Sequence, residues 1–301
     1  MASLLQKVIH LGFGISDRLA PEFAGRLAFR LFSTTPARRV KSEKARQVLK
    51  DAKPTMAAGR QFILAISRGA VSTRYFAAPS GQGSELVLVT HGWGSRTEHM
   101  LPIIEALQRS GKAVVALDLP GHGQSTGRTL DMALAVEAVN AVWCQFGPIS
   151  TMVGHSFGGA VIVNAAIGSV QGVPACKPDR LVLISAPNSL PAVFQWFADW
   201  LGLREKSRNA LFHQVQHVTG RPLKDFVGTH MVARLKIPTL VVHAREDREV
   251  SAANAESFLT AGPHVEVVWA DGYGHRRILK APEVVHAIVG FADRHAADKA
   301  A

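Results

Sequence analysis

Cysteine and long apolar runs are scarce in this chain of 301 residues. Its two cysteines, Cys144 and Cys176, are too few for a disulfide framework and form no Cys-x-x-Cys pattern, which favours a reducing, cytoplasmic location. No uninterrupted apolar run approaches the roughly 20 residues that a membrane-spanning helix needs. The 13 histidines show no clustered ligand spacing such as His-Glu-x-x-His, so neither a metal nor another cofactor is expected.

Positive charge is unevenly distributed. The net charge is +11, and residues 1–60 contribute +8 of it through 12 Lys/Arg against four Asp/Glu. No recognisable nucleic-acid reader motif is present, so nucleic acid is not an expected partner. Residues 1–59 instead predict a basic amphipathic arm, with apolar residues at 4–11 and 19–27 and a basic tract at 36–41. We expect this arm to pack on the following domain; the alternative is reversible attachment to an anionic membrane surface.

The most informative motif is Gly154-His155-Ser156-Phe157-Gly158-Gly159. A short apolar strand candidate precedes it, and an apolar helix candidate follows it. In this context a Gly-x-Ser-x-Gly sequence is typical of a sharp turn that exposes the serine hydroxyl. Because such a hydroxyl is a poor nucleophile at neutral pH, it needs a base and a group that orients the base.

Both partners are available downstream of Ser156. Asp247 follows the strand candidate at residues 238–243, and His275 follows the strand candidate at residues 265–270. Loops at the carboxyl edge of a parallel sheet converge, so these distant residues can meet. Glu246 and Glu249 remain alternative orienting groups.

From residue 60 to the C-terminus, the chain resembles an α/β-hydrolase-fold enzyme. The resemblance rests on the serine motif, on His91-Gly92-Trp93-Gly94 after a strand, on Asp118-Leu119-Pro120-Gly121-His122-Gly123-Gln124-Ser125, and on His243-Ala244-Arg245-Glu246-Asp247. The last motif departs from the usual pattern because alanine replaces glycine. The resemblance implies that the backbone N–H groups of Trp93 and Phe157 form an oxyanion hole. It also implies supporting roles for His91, His122 and His155.

Alternating strand and helix candidates predict an α/β domain over residues 60–301. Its sheet is expected to be mostly parallel, of the eight-stranded type, with helices on both faces. The segment at about 188–235 is helical in character and interrupts this alternation, so we interpret it as a lid insertion. Within it, Phe194, Phe197 and Trp200 recur at near-helical spacing. They either line a substrate pocket or attach the insertion to the domain.

These features predict a hydrolase that cleaves a carboxylic ester of a small-molecule acyl substrate, without a cofactor. A thioesterase, a lactonase or a carbon–carbon bond hydrolase would use the same residues. A catalytically silent receptor is the alternative outside enzymes. The sequence carries no signal for the oligomeric state.

Overall fold

The computed structural model describes residues 13, 19–37, 42–79 and 85–294. The apolar residues 4–11, and residues 38–41 of the basic tract at 36–41, lie outside the described residues. Within the described ranges, no helix combines the length and the apolar character needed to cross a bilayer.

Eight strands form one sheet in the described part of the chain: β1 (Arg60–Ile66), β2 (Gly69–Phe76), β3 (Leu86–Thr90), β4 (Ala113–Leu117), β5 (Thr151–His155), β6 (Arg180–Ile184), β7 (Thr239–His243) and β8 (Val265–Trp269). Their spatial order is β1-β2-β4-β3-β5-β6-β7-β8. Strand β2 pairs antiparallel with β1 and β4, and the other pairs are parallel. The α/β fold class predicted from the sequence is confirmed.

The described helices are α1 (Pro21–Ser33), α2 (Glu43–Ala58), α3 (Leu101–Arg109), α4 (Met132–Phe146), α5 (Phe157–Ile167), α6 (Leu190–Leu201), α7 (Glu205–Thr219), α8 (Gly228–Leu235), α9 (Ala253–Leu259), α10 (Gly274–Arg277) and α11 (Pro282–Ala292). Helix α3 starts at Leu101, after a 3₁₀ turn at Thr97–Met100, because Pro102 lacks the N–H that an α-helical bond to residue 98 requires. Likewise α4 starts at Met132, because the Asp131 side chain caps it by accepting the Leu134 N–H.

Strands β3 to β7 are buried at every residue, so their side chains alternate between two apolar cores. One core includes Leu88 and Met152 together with residues of α4 and α5. The other includes Val89 and Val153 together with residues of α3 and α11. Covering both faces leaves the carboxyl edge of the parallel strands for loops that can carry chemistry.

Helices α6, α7 and α8 lie between β6 and β7, in the segment interpreted above as a lid. The Asn188 carbonyl accepts the Gly228 N–H at 2.6 Å, and the Asn188 side chain accepts the N–H and hydroxyl of Thr229. These bonds tie the start of the segment to the first turn of α8.

Helix α1 packs against α7 with a very close approach of the two backbones. A Cβ atom built on Gly25 would lie 2.5 Å from the Ala210 Cβ and 2.7 Å from the Leu211 backbone nitrogen. At the end of α1, the Ser33 carbonyl accepts the Leu130 N–H at 2.8 Å. The helix is thus held to the domain at its middle and at its C-terminal end.

Replacing Gly25 with valine should destabilise the protein by about 1–3 kcal/mol, because the added side chain overpacks the contact with α7. Urea unfolding of the full chain measures the change. Arg26→Val places the same residue type at the neighbouring exposed position and controls for helix propensity. Equal unfolding free energies for the two variants would contradict a close α1–α7 contact.

Candidate active site

The sequence-predicted site residues follow four strands at one edge of the sheet. Trp93 follows β3, Ser156 follows β5, Asp247 follows β7 and His275 follows β8. These four strands are parallel to one another, so their carboxyl ends face the same way. The fold therefore gathers loops that lie far apart in sequence.

Ser156 occupies the turn between β5 and α5 in a strained backbone conformation. Its φ is 52° and its ψ is −125°, outside the regions that residues with a side chain favour. Its N–H donates to the Ile184 carbonyl at 2.8 Å, which anchors the turn on β6. A Cβ on Gly154 would lie 2.5 Å from the Gly158 oxygen, so small residues permit this tight turn.

Asp247 and His275 are joined by a short hydrogen bond. The His275 Nδ1–H donates to Asp247 Oδ2 at 2.7 Å, while Asp247 Oδ1 accepts the N–H groups of Glu249 and Val250. Burial alone would raise the pKa of Asp247, but these hydrogen bonds outweigh it and lower the pKa to about 2. The carboxylate is therefore ionised at neutral pH.

The alternative carboxylates have other positions. Glu246 accepts the Gly274 N–H at 2.8 Å. Glu249 binds the Arg276 guanidinium at 2.9 Å, and its Oε2 lies 3.9 Å from the other ring nitrogen of His275, Nε2. Of the three acidic residues considered from the sequence, Asp247 is the one hydrogen-bonded to Nδ1.

His155 connects the serine turn to the His275 loop. Its Nε2–H donates to the His275 carbonyl at 2.8 Å, and the two ring centroids are 4.8 Å apart. Burial, together with the proximity of His275, lowers the pKa of His155 to about 3. This imidazole is therefore neutral, and it adds no positive charge beside His275.

The loop after β3 lies against the serine turn. A Cβ on Gly92 would lie 2.8 Å from the Ser156 Cβ, so only glycine fits there. Within the described residues, the backbone N–H groups of Trp93 and Phe157 have no hydrogen-bond acceptor. Their rings meet edge to face at 5.9 Å. Two unpaired donors thus flank the residue expected to be the nucleophile.

Two histidines hold this loop in place. His91 donates from Nδ1 to the Gly92 carbonyl and accepts the Leu119 N–H at Nε2. His122 accepts the Gly94 N–H at 2.9 Å. Burial lowers the pKa of His91 to about 4, against a smaller opposing effect of Asp118, so its ring stays neutral and can both donate and accept.

A small apolar cavity adjoins this region. Trp93, Phe157 and Phe194 line it. Phe197 and Trp200, the other two residues expected at a pocket, are absent from its lining and stack on each other at 5.9 Å.

Two lining residues that sequence reasoning missed are Phe29 and Phe32 of α1. The helical periodicity of the arm indicates an apolar face, but it does not identify the residues against which that face packs.

No group of three or more His, Cys, Asp or Glu side chains in the described ranges is arranged to hold a metal ion. Asp247, His275 and His155 are hydrogen-bonded to one another and to the backbone. The arrangement suits proton transfer between side chains.

The sequence model of the alpha/beta hydrolase family matches residues 86–288. The chain belongs to this family.

Relatives and solved structures agree with this placement. Pimeloyl-[acyl-carrier protein] methyl ester esterase from Xanthomonas campestris pv. campestris is 27% identical over 70% of this chain and 96% of its own length. The solved structure of carboxylesterase CesB from Bacillus subtilis superposes with a TM-score of 0.58 at 16% identity, covering 84% of this chain and 99% of that one, and shows the shared fold.

Other relatives match over shorter stretches. The dihydrolipoyllysine-residue acetyltransferase component of the acetoin cleaving system from Cupriavidus necator is 39% identical over 34% of this chain. This chain spans 28% of that relative's length, and 39% of the length of (E)-2-((N-methylformamido)methylene)succinate hydrolase from Acinetobacter baylyi.

The lowered pKa of Asp247 predicts a pH-dependent contribution to stability. An acid with a depressed pKa in the folded state stabilises the fold above its unfolded pKa of 3.8, and this contribution is lost as the pH falls towards about 2. Asp247→Asn should therefore unfold at lower urea than wild type at pH 7, with a difference that shrinks below pH 4. The exposed Asp225→Asn should match wild type throughout; a pH-independent difference for Asp247→Asn would contradict the assignment.

Proposed function

We propose that the protein is a serine hydrolase that cleaves carboxylic esters through a covalent acyl-enzyme intermediate on Ser156. The observation that carries the proposal is the 2.7 Å hydrogen bond from His275 Nδ1 to the buried carboxylate of Asp247. With Nδ1 donating, the neutral ring has its lone pair on Nε2, where it can accept a proton from a serine hydroxyl.

In the first step, the Ser156 oxygen attacks the acyl carbon while its proton moves to His275 Nε2. Asp247 stabilises the imidazolium that forms, and it keeps the ring in the required orientation. The neutral His155 supports this step, because a second charged imidazole at 4.8 Å would disfavour protonation of His275.

Negative charge then develops on the carbonyl oxygen. The unpaired N–H groups of Trp93 and Phe157 are the proposed donors to this oxyanion. Losing one such donor in another serine hydrolase costs about 3–4 kcal/mol of transition-state stabilisation, so their fixed positions matter for rate. His91 and His122 position the first donor through the Gly92 and Gly94 backbone.

Collapse of the tetrahedral intermediate breaks the bond to the leaving group, which takes the proton from His275 and departs as an alcohol. A water molecule then gives a proton to the same histidine and attacks the acyl carbon. Breaking the bond to Ser156 releases the acid and returns the proton to the serine.

An ester is the favoured substrate because the full-length relative from Xanthomonas campestris is a methyl ester esterase by name. The apolar cavity beside Trp93 and Phe157 supports an apolar acyl group. A thioester, a lactone or a carbon–carbon bond would use the same steps with a different leaving group.

A fluorophosphonate probe should label wild type at Ser156, and peptide mass spectrometry locates the adduct. Ser156→Ala should lose both labelling and p-nitrophenyl ester hydrolysis, with kcat lower by at least about 10⁴-fold. His275→Ala should show a comparable loss, because the hydroxyl then lacks its base. Ser185→Ala removes a neighbouring serine hydroxyl after β6 and should retain activity.

The Asp247→Asn variant tests, in the same assay, which of the three candidate carboxylates orients His275. It should lower kcat by up to about 10⁴-fold, whereas Glu249→Gln, which alters a surface ion pair, should change kcat by less than about tenfold. Absent labelling of the folded wild type would favour the receptor alternative. Unchanged activity of Asp247→Asn would redirect the role to Glu246 or Glu249.

A further inference from the structure

The apolar cavity beside the candidate active site is built from three separate parts of the chain. Helix α1 supplies Phe29 and Phe32, the hydrolase body supplies Trp93 and Phe157, and α6 supplies Phe194. Trp93 and Phe157 are the residues whose backbone N–H groups are the proposed oxyanion donors. The cavity therefore shares two residues with the proposed oxyanion site.

Phe32 is the centre of the aromatic packing at this cavity. Its ring centroid lies 4.4 Å from that of Phe194, 5.1 Å from that of Phe197 and 6.3 Å from that of Trp93. Phe29 adds a stacked contact with Phe194 at 6.3 Å. A residue of the N-terminal arm thus bridges the body and the helical insertion.

The wall that α1 forms is fixed in position. The close packing of Gly25 on α7 and the hydrogen bond from Leu130 to the Ser33 carbonyl hold the helix on either side of Phe29. Shape selection requires such rigidity, because a loose helix would yield to any acyl chain.

Ser33 gives a second, independent indication that the cavity holds a ligand. It lines the cavity and is 4% exposed, and its hydroxyl has no hydrogen-bond partner within the described residues. Buried polar groups normally have partners, so this hydroxyl is available to a polar atom of a ligand or a water in the cavity.

We propose that α1 is part of the substrate-binding site, with Phe29 and Phe32 forming the wall that sets which apolar acyl chains fit. The arm would then determine specificity rather than act as an appendage. This inference rests on the proposed function, since it names the acyl group that the Ser156 site accepts.

Hydrolysis of p-nitrophenyl esters from acetate to palmitate tests the wall. Phe32→Ala enlarges the cavity, so the preference should move to longer chains, with the ratio of kcat/KM for dodecanoate to that for butyrate rising at least about tenfold. Ser33→Val narrows the cavity and should shift the preference the other way. Phe146→Ala, which removes a half-buried ring from the separate cluster with Phe62, should leave the wild-type profile unchanged.

A binding measurement keeps this test independent of catalysis. The affinity for decanoate is measured by titration into the Ser156→Ala variant. Adding Phe32→Ala or Ser33→Val to that variant should change this affinity. The inference would be overturned, with ester hydrolysis intact, if Phe32→Ala and Ser33→Val both kept the wild-type chain-length profile and both left the decanoate affinity of Ser156→Ala unchanged. Loss of labelling and turnover in wild type would instead overturn the proposed function.

The opposite face of α1 carries a separate feature. Leu19, just before the helix, and Phe23, Leu27 and Leu31 recur every four residues and are 81%, 53%, 41% and 40% exposed. Exposed apolar residues on an ordinary protein surface are scattered singly, whereas these four form one continuous row.

Exposed Arg26 and Arg30 flank this row. An apolar stripe bordered by arginines fits the interface of an anionic bilayer, where the apolar side chains leave water and the guanidinium groups meet lipid phosphates. The +8 charge of residues 1–60 adds long-range attraction to the same surface. We infer that the outer face of α1 docks on anionic membrane surfaces.

Co-sedimentation of the full chain with phosphatidylcholine vesicles, with and without phosphatidylglycerol, tests this docking. Binding should require the anionic lipid, and the double variant Phe23→Ser/Leu27→Ser should weaken it at least about tenfold. Leu259→Ser, at an exposed leucine of α9, is the matched control and should bind like wild type. Absence of vesicle binding by wild type would overturn the inference. A double variant that binds vesicles like wild type but has a different molar mass by light scattering would overturn it in favour of self-association.

Discussion

The hydrogen bond between His275 and Asp247 is the contact on which the candidate site depends. It joins loops that follow two neighbouring strands, and it fixes which nitrogen of the imidazole faces away from the carboxylate. Two further backbone N–H groups hold Asp247, so the carboxylate stays charged although it is buried. An ionised, immobile partner is what a histidine base needs in order to become positively charged during a reaction.

The surrounding histidines have a different task. His91 and His155 are buried, and their pKa values are lowered to about 4 and about 3, so both remain neutral while their rings bind backbone groups. His155 holds the His275 loop and His91 holds the loop of Trp93. His155 is thus a neutral hydrogen-bonding ring beside His275, and His91 has the same role in the loop of Trp93. Positive charge can develop at His275 without a charged ring beside it.

Local patterns predicted the sheet, the family and the positions of Ser156, Asp247 and His275 at the ends of strands, because each depends on a short motif beside an apolar strand. The arrangement of α1 could not be predicted in the same way. Its contacts with α7 and with the cavity join segments far apart in sequence, and they depend on the shape of packed side chains rather than on periodicity. For the same reason, the stripe on α6 indicated an apolar face but not that only Phe194 of its three rings would line the cavity.

A crystal structure of the phosphonylated protein tests the central claim most directly, because the adduct mimics the tetrahedral intermediate. The account predicts phosphorus bonded to the Ser156 oxygen and a phosphonyl oxygen within hydrogen-bond distance of the Trp93 and Phe157 N–H groups. It also predicts His275 Nε2 directed at the serine oxygen, with Nδ1 still bonded to Asp247. An adduct on another residue, or an imidazole at 275 turned away from the serine, would contradict it.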